Sequence, residues 1–188
     1  MAREPRKKLP DVKYHITTKG FRGTGIFKEE VMKDKMIETL HRAEKKFDFD
    51  LDAFCIMDNH IHLLLFPKQE EDLSQIMQWI LTVFAMAYNQ HVNQGGPVFN
   101  GRFWSKIIEN KAQYFEVYRY IMKNPVKAGI VEKPLDYKYS SITFLANRSL
   151  DVFGIMKVSI LEALAHYSSF FRYWMIALRD ANVSSCSS

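Results

Sequence analysis

Residues 57–67 read Met57-Asp-Asn-His60-Ile-His62-Leu-Leu-Leu-Phe-Pro67 and place two histidines two positions apart within an apolar run. Successive side chains of a β-strand point to opposite faces, so His60 and His62 would share one face and the intervening apolar residues the other. The two imidazoles would lie about 7 Å apart along the strand and could both reach one cation. One interpretation is therefore a metal site. The other is one structural and one exposed histidine, and an isolated His-x-His pair favours neither.

Length and composition indicate one globular domain with an appendage. The chain has 188 residues, of which 47% are hydrophobic and 25% charged. No apolar run approaches the ~20 residues needed to span a bilayer, and no signal-peptide pattern opens the sequence. Cys55 lies in the predicted strand that contains the two histidines, and Cys186 lies in a Ser-rich tail. The two cysteines are far apart in sequence, so no structural disulfide is expected. We expect a reducing, cytoplasmic setting and no membrane partner.

The formal net charge of +5 is unevenly distributed along the chain. The first ten residues form a basic arm with Arg3, Arg6, Lys7 and Lys8. A second basic segment, residues 102–138, also contains Phe103 and Trp104. Basic clusters of this kind indicate a polyanionic partner such as nucleic acid. On charge alone, an ordinary solvated surface is the simpler interpretation.

Periodicity predicts strands and helices in alternation. The predicted strands are Lys13–Lys19, about Ala53 to Phe66 and Arg102–Glu109; the predicted helices are about 28–47, 72–92 and 112–123, the last closed by Pro125 and Gly129. The order predicts an α+β fold with a ferredoxin-like antiparallel sheet and helices packed on one face. We divide the chain into a basic N-terminal arm at 1–12, a main domain at 13–148 and a C-terminal helical extension at 149–188.

The third predicted helix carries three tyrosines with different surroundings. At 100° per residue, Tyr114 and Tyr118 fall on its apolar face and are explained by packing. Tyr120 falls on the polar face, one turn before Asn124. Taken by itself, that face is most simply an ordinary polar surface, which also carries Arg119 and Lys123.

Several motifs occur in register along the chain. Besides Met57–Leu65 they are Ala2-Arg-Glu-Pro-Arg6, Tyr14-His-Ile-Thr17, Asn100-Gly-Arg-Phe-Trp104, Tyr120-Ile-Met-Lys-Asn-Pro-Val-Lys-Ala-Gly129 and Tyr137-Lys-Tyr-Ser-Ser141. Together they resemble the single-tyrosine transposases of the HUH endonuclease superfamily, and most of all the REP-associated tyrosine transposases. The resemblance covers about residues 2–145, and nothing beyond about Asn147 contributes to it.

The resemblance implies a role for each matching residue. His60 and His62 would hold a divalent metal ion, Mg²⁺ or Mn²⁺, although ligand chemistry alone would also permit Zn²⁺. Tyr120 would be the nucleophile. Asn124 matches the position of a third metal ligand, but Pro125 disfavours a helical backbone at the residue before it. We therefore expect the Asn124 side chain to splay from the helical direction.

The implied activity is that of a metal-dependent single-stranded DNA endonuclease and strand transferase. It would act through a 5′-phosphotyrosine intermediate, at hairpin-forming DNA repeats, and its catalytic domain would be residues 13–148. The alternative is a domesticated, non-catalytic DNA- or RNA-binding regulator with the same fold. A histidine-triad hydrolase is disfavoured because Leu64 occupies the place of its third histidine. A homodimer and a monomer are both compatible with the resemblance.

We expect DNA contacts from three groups of residues. The first is the basic arm with Arg3, Arg6, Lys7 and Lys8. The second is one face of the strand near residue 104, where phosphate contacts and base stacking could combine; its members are Arg102, Trp104 and Lys106. The third is the polar face of the third helix, with Arg119 and Lys123. The amphipathic stretch at residues 155–178 could dock on the main domain, bind DNA or cover the active site, and docking is the simplest interpretation.

Overall fold

The fold is described from a computed structural model, which covers residues 12–68 and 70–146. Its strands are β1 (Lys13–Lys19), β2 (Phe49–Ile56), β3 (His60–Pro67) and β4 (Trp104–Ile108). Its helices are α1 (Glu30–Lys46), α2 (Leu73–His91), α3 (Lys111–Lys127) and α4 (Ser141–Ala146). The predicted arm residues Arg3, Arg6, Lys7 and Lys8 and the predicted extension at 149–188 lie outside the described residues.

The four strands form one sheet in the order β2-β3-β1-β4, and every neighbouring pair is antiparallel. Together with α1 and α2 they follow the β-α-β-β-α-β order of ferredoxin-like folds. The predicted α+β class and antiparallel sheet are therefore confirmed. Helices α1 and α2 pack against each other, and α3 contacts β2, β3 and β4. None of the helices within residues 12–68 and 70–146 has the length and apolar character needed to cross a bilayer.

The predicted single strand from Ala53 to Phe66 is wrong, because the chain makes a hairpin there. Strands β2 and β3 pair antiparallel around the turn at residues 57–59, where Met57 N–H donates to the His60 carbonyl at 2.8 Å. Asp and Asn are turn-forming residues, and this turn contains one of each. The apolar run hides the turn because both strands are buried in the core.

Helix α3 continues through Pro125 instead of ending at Lys123 as predicted. Beyond the proline, the Ala128 N–H donates to the Asn124 carbonyl at 3.0 Å, and Gly129 ends the helix with a φ of +68°. Proline lacks an N–H, so it removes one hydrogen bond without preventing the next turn. Asn124 therefore keeps its helical position, contrary to the expected splaying, and it is buried.

The two faces of the sheet differ in character. Ile16 of β1 and Ile61, Leu63 and Leu65 of β3 point into the apolar core, to which α1 and α2 also contribute. The opposite face, which we call the histidine face, carries Lys13, His15, Thr17 and Lys19 of β1 and His60 and His62 of β3. Helix α3 lies over it: the Lys13 Nζ is 5.0 Å from the Tyr114 ring, and the Tyr120 and His62 rings are 5.3 Å apart. The sheet thereby places one helix above its polar face.

Candidate active site

A pocket of about 450 Å³ opens on the histidine face between the sheet and α3. Strand register builds its floor, because Thr17 of β1 lies directly opposite His62 and Lys19 directly opposite His60. Among the described residues, those that line the pocket are His15, Thr17, Lys19, His60, His62, Trp104 and Tyr120. The structure thus brings together four residues singled out in the sequence: both histidines of the His-x-His pair, Trp104 and Tyr120.

Tyr120 projects from α3 into this pocket. Its ring centroid is 5.3 Å from that of His62, with the ring planes at 86°, and its side chain remains accessible, with the residue 39% exposed. Tyr118 is fully buried, as packing predicted. The Lys127 ammonium group lies 4.8 Å from the Tyr120 ring centroid, within the range of a cation–π contact. Of these two tyrosines, only Tyr120 can meet a substrate in the pocket.

His62 is buried and neutral, and its two ring nitrogens have different surroundings. Nδ1 lies 3.1 Å from His15 Nε2 and 3.0 Å from Thr17 Oγ1. Nε2 is buried and has no hydrogen-bond partner within residues 12–68 and 70–146. Burial, followed by the nearby His60 and His15, lowers the pKa of His62 to about 3. A neutral imidazole offers a lone pair, which is the form that binds metal ions.

His60 lies nearer the solvent and connects the pair to α3. Its Nδ1 is 2.6 Å from Asn59 Oδ1. Burial and the charge of Lys19 lower its pKa, and a side-chain hydrogen bond with Asn124 opposes that shift. The Asn124 side chain therefore contacts His60, the first of the two histidines.

The donor set at this site combines nitrogen and oxygen. In the described part of the chain, no group of three or more His, Cys, Asp or Glu side chains is arranged to hold a metal ion. A third protein donor would then be the amide oxygen of Asn124, whose side chain contacts His60. Two imidazoles and one amide leave further coordination positions to water or a phosphate oxygen.

Three lining residues, His15, Thr17 and Lys19, were not singled out from the sequence as site residues. The signal was present, since polar side chains alternate with Tyr14, Ile16 and Thr18 along β1. Alternation along β1 does not predict which strand lies beside it in the sheet. Only the pairing of β1 with β3 places this polar row beside the two histidines.

Of the described residues predicted to contact DNA, Trp104 lines the pocket and the others are exposed. Trp104 lies opposite Thr17 and Lys106 opposite His15, so both project from the histidine face. The Trp104 ring stands edge-on to His15, with centroids 5.6 Å apart. Arg102 is exposed just before β4, and Arg119 and Lys123 are exposed on α3. Phe103 is buried in the core, as predicted for the other face of the strand.

Comparison with known proteins gives relatives for both sequence and fold. A REP-associated tyrosine transposase of Escherichia coli strain K12 is 28% identical over 101 residues, which are 53% of this chain and 58% of that protein. A Haemophilus influenzae protein classed with the same transposases is 29% identical over 105 residues, 50% of this chain and 60% of its own length. The chain thus spans somewhat more than half the length of these relatives.

The same fold occurs in a solved REP-associated tyrosine transposase bound to a REP hairpin. The TM-score is 0.66 at 22% sequence identity, over 80% of this chain and 88% of that one. The family model described as IS200-like transposase matches residues 8–124, which is more than half of the chain. This chain therefore belongs to the family of IS200-like transposases.

Proposed function

We propose that the protein is a metal-dependent endonuclease and strand transferase for single-stranded DNA, and that Tyr120 is its nucleophile. The observation that carries the proposal is the meeting of Tyr120 with His60 and His62 in one open pocket. The fold neighbour is bound to a REP hairpin, which supports hairpin-forming DNA as the class of substrate. Membership of a transposase family supports strand transfer as the outcome.

The reaction exchanges one phosphodiester bond for another. The Tyr120 oxygen forms a bond to the scissile phosphorus while the bond from phosphorus to the 3′ oxygen breaks. The proton lost by the phenol is balanced by the proton gained by the departing 3′-hydroxyl. The 5′ end remains on the tyrosine as a phosphodiester, and attack by a 3′-hydroxyl reverses the step without ATP.

The chain's own residues would position the substrate for this exchange. Helix α3 holds Tyr120 on a rigid element above the sheet, which limits the loss of conformational freedom at the moment of attack. Trp104 offers an exposed ring on which a base could stack, while Lys106 and Arg102 offer phosphate contacts. Arg119 and Lys123 are exposed on α3, close to Tyr120 in sequence, and could add phosphate contacts.

The site fits a divalent metal ion, Mg²⁺ or Mn²⁺. His60, His62 and Asn124 would hold it. The fit rests on His62 Nε2, a buried nitrogen without a protein partner in the described part of the chain, which is costly unless something else pairs with it. When bound, the ion would draw negative charge from the non-bridging phosphate oxygens and favour in-line attack.

A labelled single strand that ends in a hairpin tests this function. With Mn²⁺ we expect a covalent protein–DNA adduct and a released fragment with a 3′-hydroxyl. Both should disappear in EDTA and in His60→Ala, whereas His91→Ala, a change at the far end of α2, should keep them. Cleavage at the normal rate by fully demetallated protein would contradict the metal role. Tight hairpin binding without any cleavage would favour the non-catalytic regulator.

A further inference from the structure

We infer that His15 and Thr17 are positioning residues that orient His62 so that its Nε2 faces the metal ion. The inference rests on the proposed function, because it concerns the same metal site. It goes further by assigning a purpose to His15 and Thr17, two polar residues of β1 that are neither the nucleophile nor proposed metal ligands. Both side chains contact the same atom, Nδ1 of the proposed metal ligand His62.

Strand register fixes this contact. β1 lies between β3 and β4, and Thr17 is the direct cross-strand partner of His62. His15 lies two residues earlier on the same face. Thr17 Oγ1 and His15 Nε2 are 3.0 Å and 3.1 Å from His62 Nδ1, so two polar groups converge on one atom.

A cation at Nε2 requires one tautomer of His62, and the contacts at Nδ1 can hold that tautomer in place. A neutral imidazole carries one N–H. If the hydrogen is on Nδ1, it can be donated to Thr17 or His15, and Nε2 keeps a free lone pair. If the hydrogen is on Nε2, that nitrogen has no lone pair for a cation, and Nδ1 can only accept from Thr17 or His15. An acceptor beside Nδ1 therefore holds His62 in the tautomer that can bind a cation through Nε2.

His15 is placed to support His62 rather than to share its ion. The two rings are inclined by only 28° with centroids 5.3 Å apart, and the short contact joins His15 Nε2 to His62 Nδ1, so they meet edge to edge. Nδ1 and Nε2 direct their bonds to different sides of a ring. Trp104 and Tyr120 flank the His15 ring at centroid distances of 5.6 Å and 5.8 Å, which limits its rotation.

Metal binding without DNA tests the inference on the full chain. Mn²⁺ affinity would be measured by calorimetry or electron paramagnetic resonance for Thr17→Val, His15→Phe and the double variant. Loss of contacts behind a metal ligand commonly costs 10- to 100-fold in affinity, so we expect the double variant to lose about that much and each single variant less. His15→Gln in the Thr17→Val background should restore affinity, because the glutamine amide can replace the acceptor that phenylalanine lacks.

Thr18→Val is the matched control, since it removes a buried hydroxyl from the opposite face of the same strand. It should leave Mn²⁺ affinity unchanged. Thermal unfolding in EDTA separates folding from metal binding. If the double variant is unfolded, the comparison of His15→Phe with His15→Gln in the presence of Thr17 replaces it, and only His15→Phe should lose affinity. Unchanged affinity in the folded variants would overturn the inference, and so would failure of glutamine to rescue. A wild-type protein that binds no Mn²⁺ would instead contradict the metal part of the proposed function.

Discussion

At the scale of single residues, burial decides which side chains of this protein carry charge. His15 and His62 lie within the sheet, and burial is the main cause that lowers their pKa values, to about 4 and about 3. Both are therefore neutral near pH 7, ready to accept or donate through fixed nitrogens. The same physical cause acts in the opposite direction on a buried carboxyl group.

Glu44 of α1 offers a test of this reasoning away from the pocket. Its side chain is 7% exposed, and burial raises its pKa from 4.5 to about 7. The folded state then binds the proton more tightly than the unfolded state, so this group lowers the free energy of unfolding as pH rises from about 4.5 to about 7. Glu44→Gln should remove that loss and stabilise the protein by roughly 3 kcal/mol at pH 8.

Urea unfolding at pH 5 and pH 8 measures the effect. Titration of His15 and His62 also makes the protein more stable as pH rises toward 6.5. Because this contribution is the same in the variant and the wild type, it cancels in the difference between their free energies of unfolding. Glu38→Gln, on the exposed side of the same helix, should change stability much less. An unaltered pH dependence in Glu44→Gln would show that Glu44 is hydrated in solution.

The sequence predicts site residues that are recognisable from local spacing. It does not predict site residues whose contacts are with segments far away in the sequence. His60 and His62 were found because a strand places them side by side, and Tyr120 because packing did not account for it. The positions of Thr17 and Lys19 beside them depend on the pairing of β1 with β3. Such register is set by contacts far apart in sequence, so alternation in β1 alone could not disclose it.

At the scale of elements, the β2–β3 hairpin is fixed by a contact with α1. Lys33 of α1 donates to Asp58 at the turn at 2.7 Å, and the Lys33 ammonium lies 5.3 Å from the Tyr139 ring. The Asp58 carbonyl also accepts from the Phe27 N–H at 2.9 Å. Because His60 follows this turn by one residue, the anchor also helps to place the first proposed metal ligand.

Removal of either partner of this ion pair should have unequal effects. The Lys33 side chain is 8% exposed and the Asp58 side chain 54% exposed. Asp58→Ala would leave a nearly buried ammonium unpaired and should destabilise the protein by about 1–3 kcal/mol. Lys33→Met should cost less, because water can hydrate the aspartate. Urea unfolding gives both values, with Asp34→Ala on the exposed face of α1 as control; the reverse order would contradict the burial argument.

Sequence patterns gave most elements but misjudged two boundaries. The β2–β3 turn is hard to predict because apolar residues lie on both sides of it, although Asp58 and Asn59 are typical of turns. Helix α3 was ended too early because Pro125 usually stops a helix, whereas here its ring is accommodated near the helix end. At Pro125 tertiary packing overrode a local preference, whereas Asp58 and Asn59 carried a correct local signal that the neighbouring apolar residues concealed.

At the scale of the whole molecule, the fold brings the histidine face and α3 together around one pocket. Patterns alone predicted the ferredoxin-like sheet with helices on one face, because strand and helix order restricts the arrangements available. They did not predict that α3 would cover the histidine face. That placement depends on packing of Tyr118 and Ile121 against the sheet, and it is what brings Tyr120 to the histidines.

The basic arm should contribute affinity through charge. Each phosphate contact adds about 0.7–0.9 to the slope of log affinity against log salt. Deletion of residues 1–8, which carry four basic residues, should therefore weaken binding of a hairpin-bearing strand and lower that slope by about 3. Fluorescence anisotropy at several salt concentrations measures both, with neutralisation of Lys45 and Lys46 on α1 as control. If affinity and slope were unchanged while cleavage disappeared, the arm would belong to the active site or the fold.

The central claim, that Tyr120 attacks the phosphate beside the two histidines, is tested most directly by identifying the tyrosine that carries DNA. Protein incubated with Mn²⁺ and a hairpin-bearing strand would be digested with nuclease and protease, and the modified peptide sequenced by mass spectrometry. We predict a 5′-phosphate on Tyr120, its loss in Tyr120→Phe and its retention in Tyr118→Phe. A DNA-linked peptide that persists in Tyr120→Phe, or that carries the phosphate on another residue, would contradict the account.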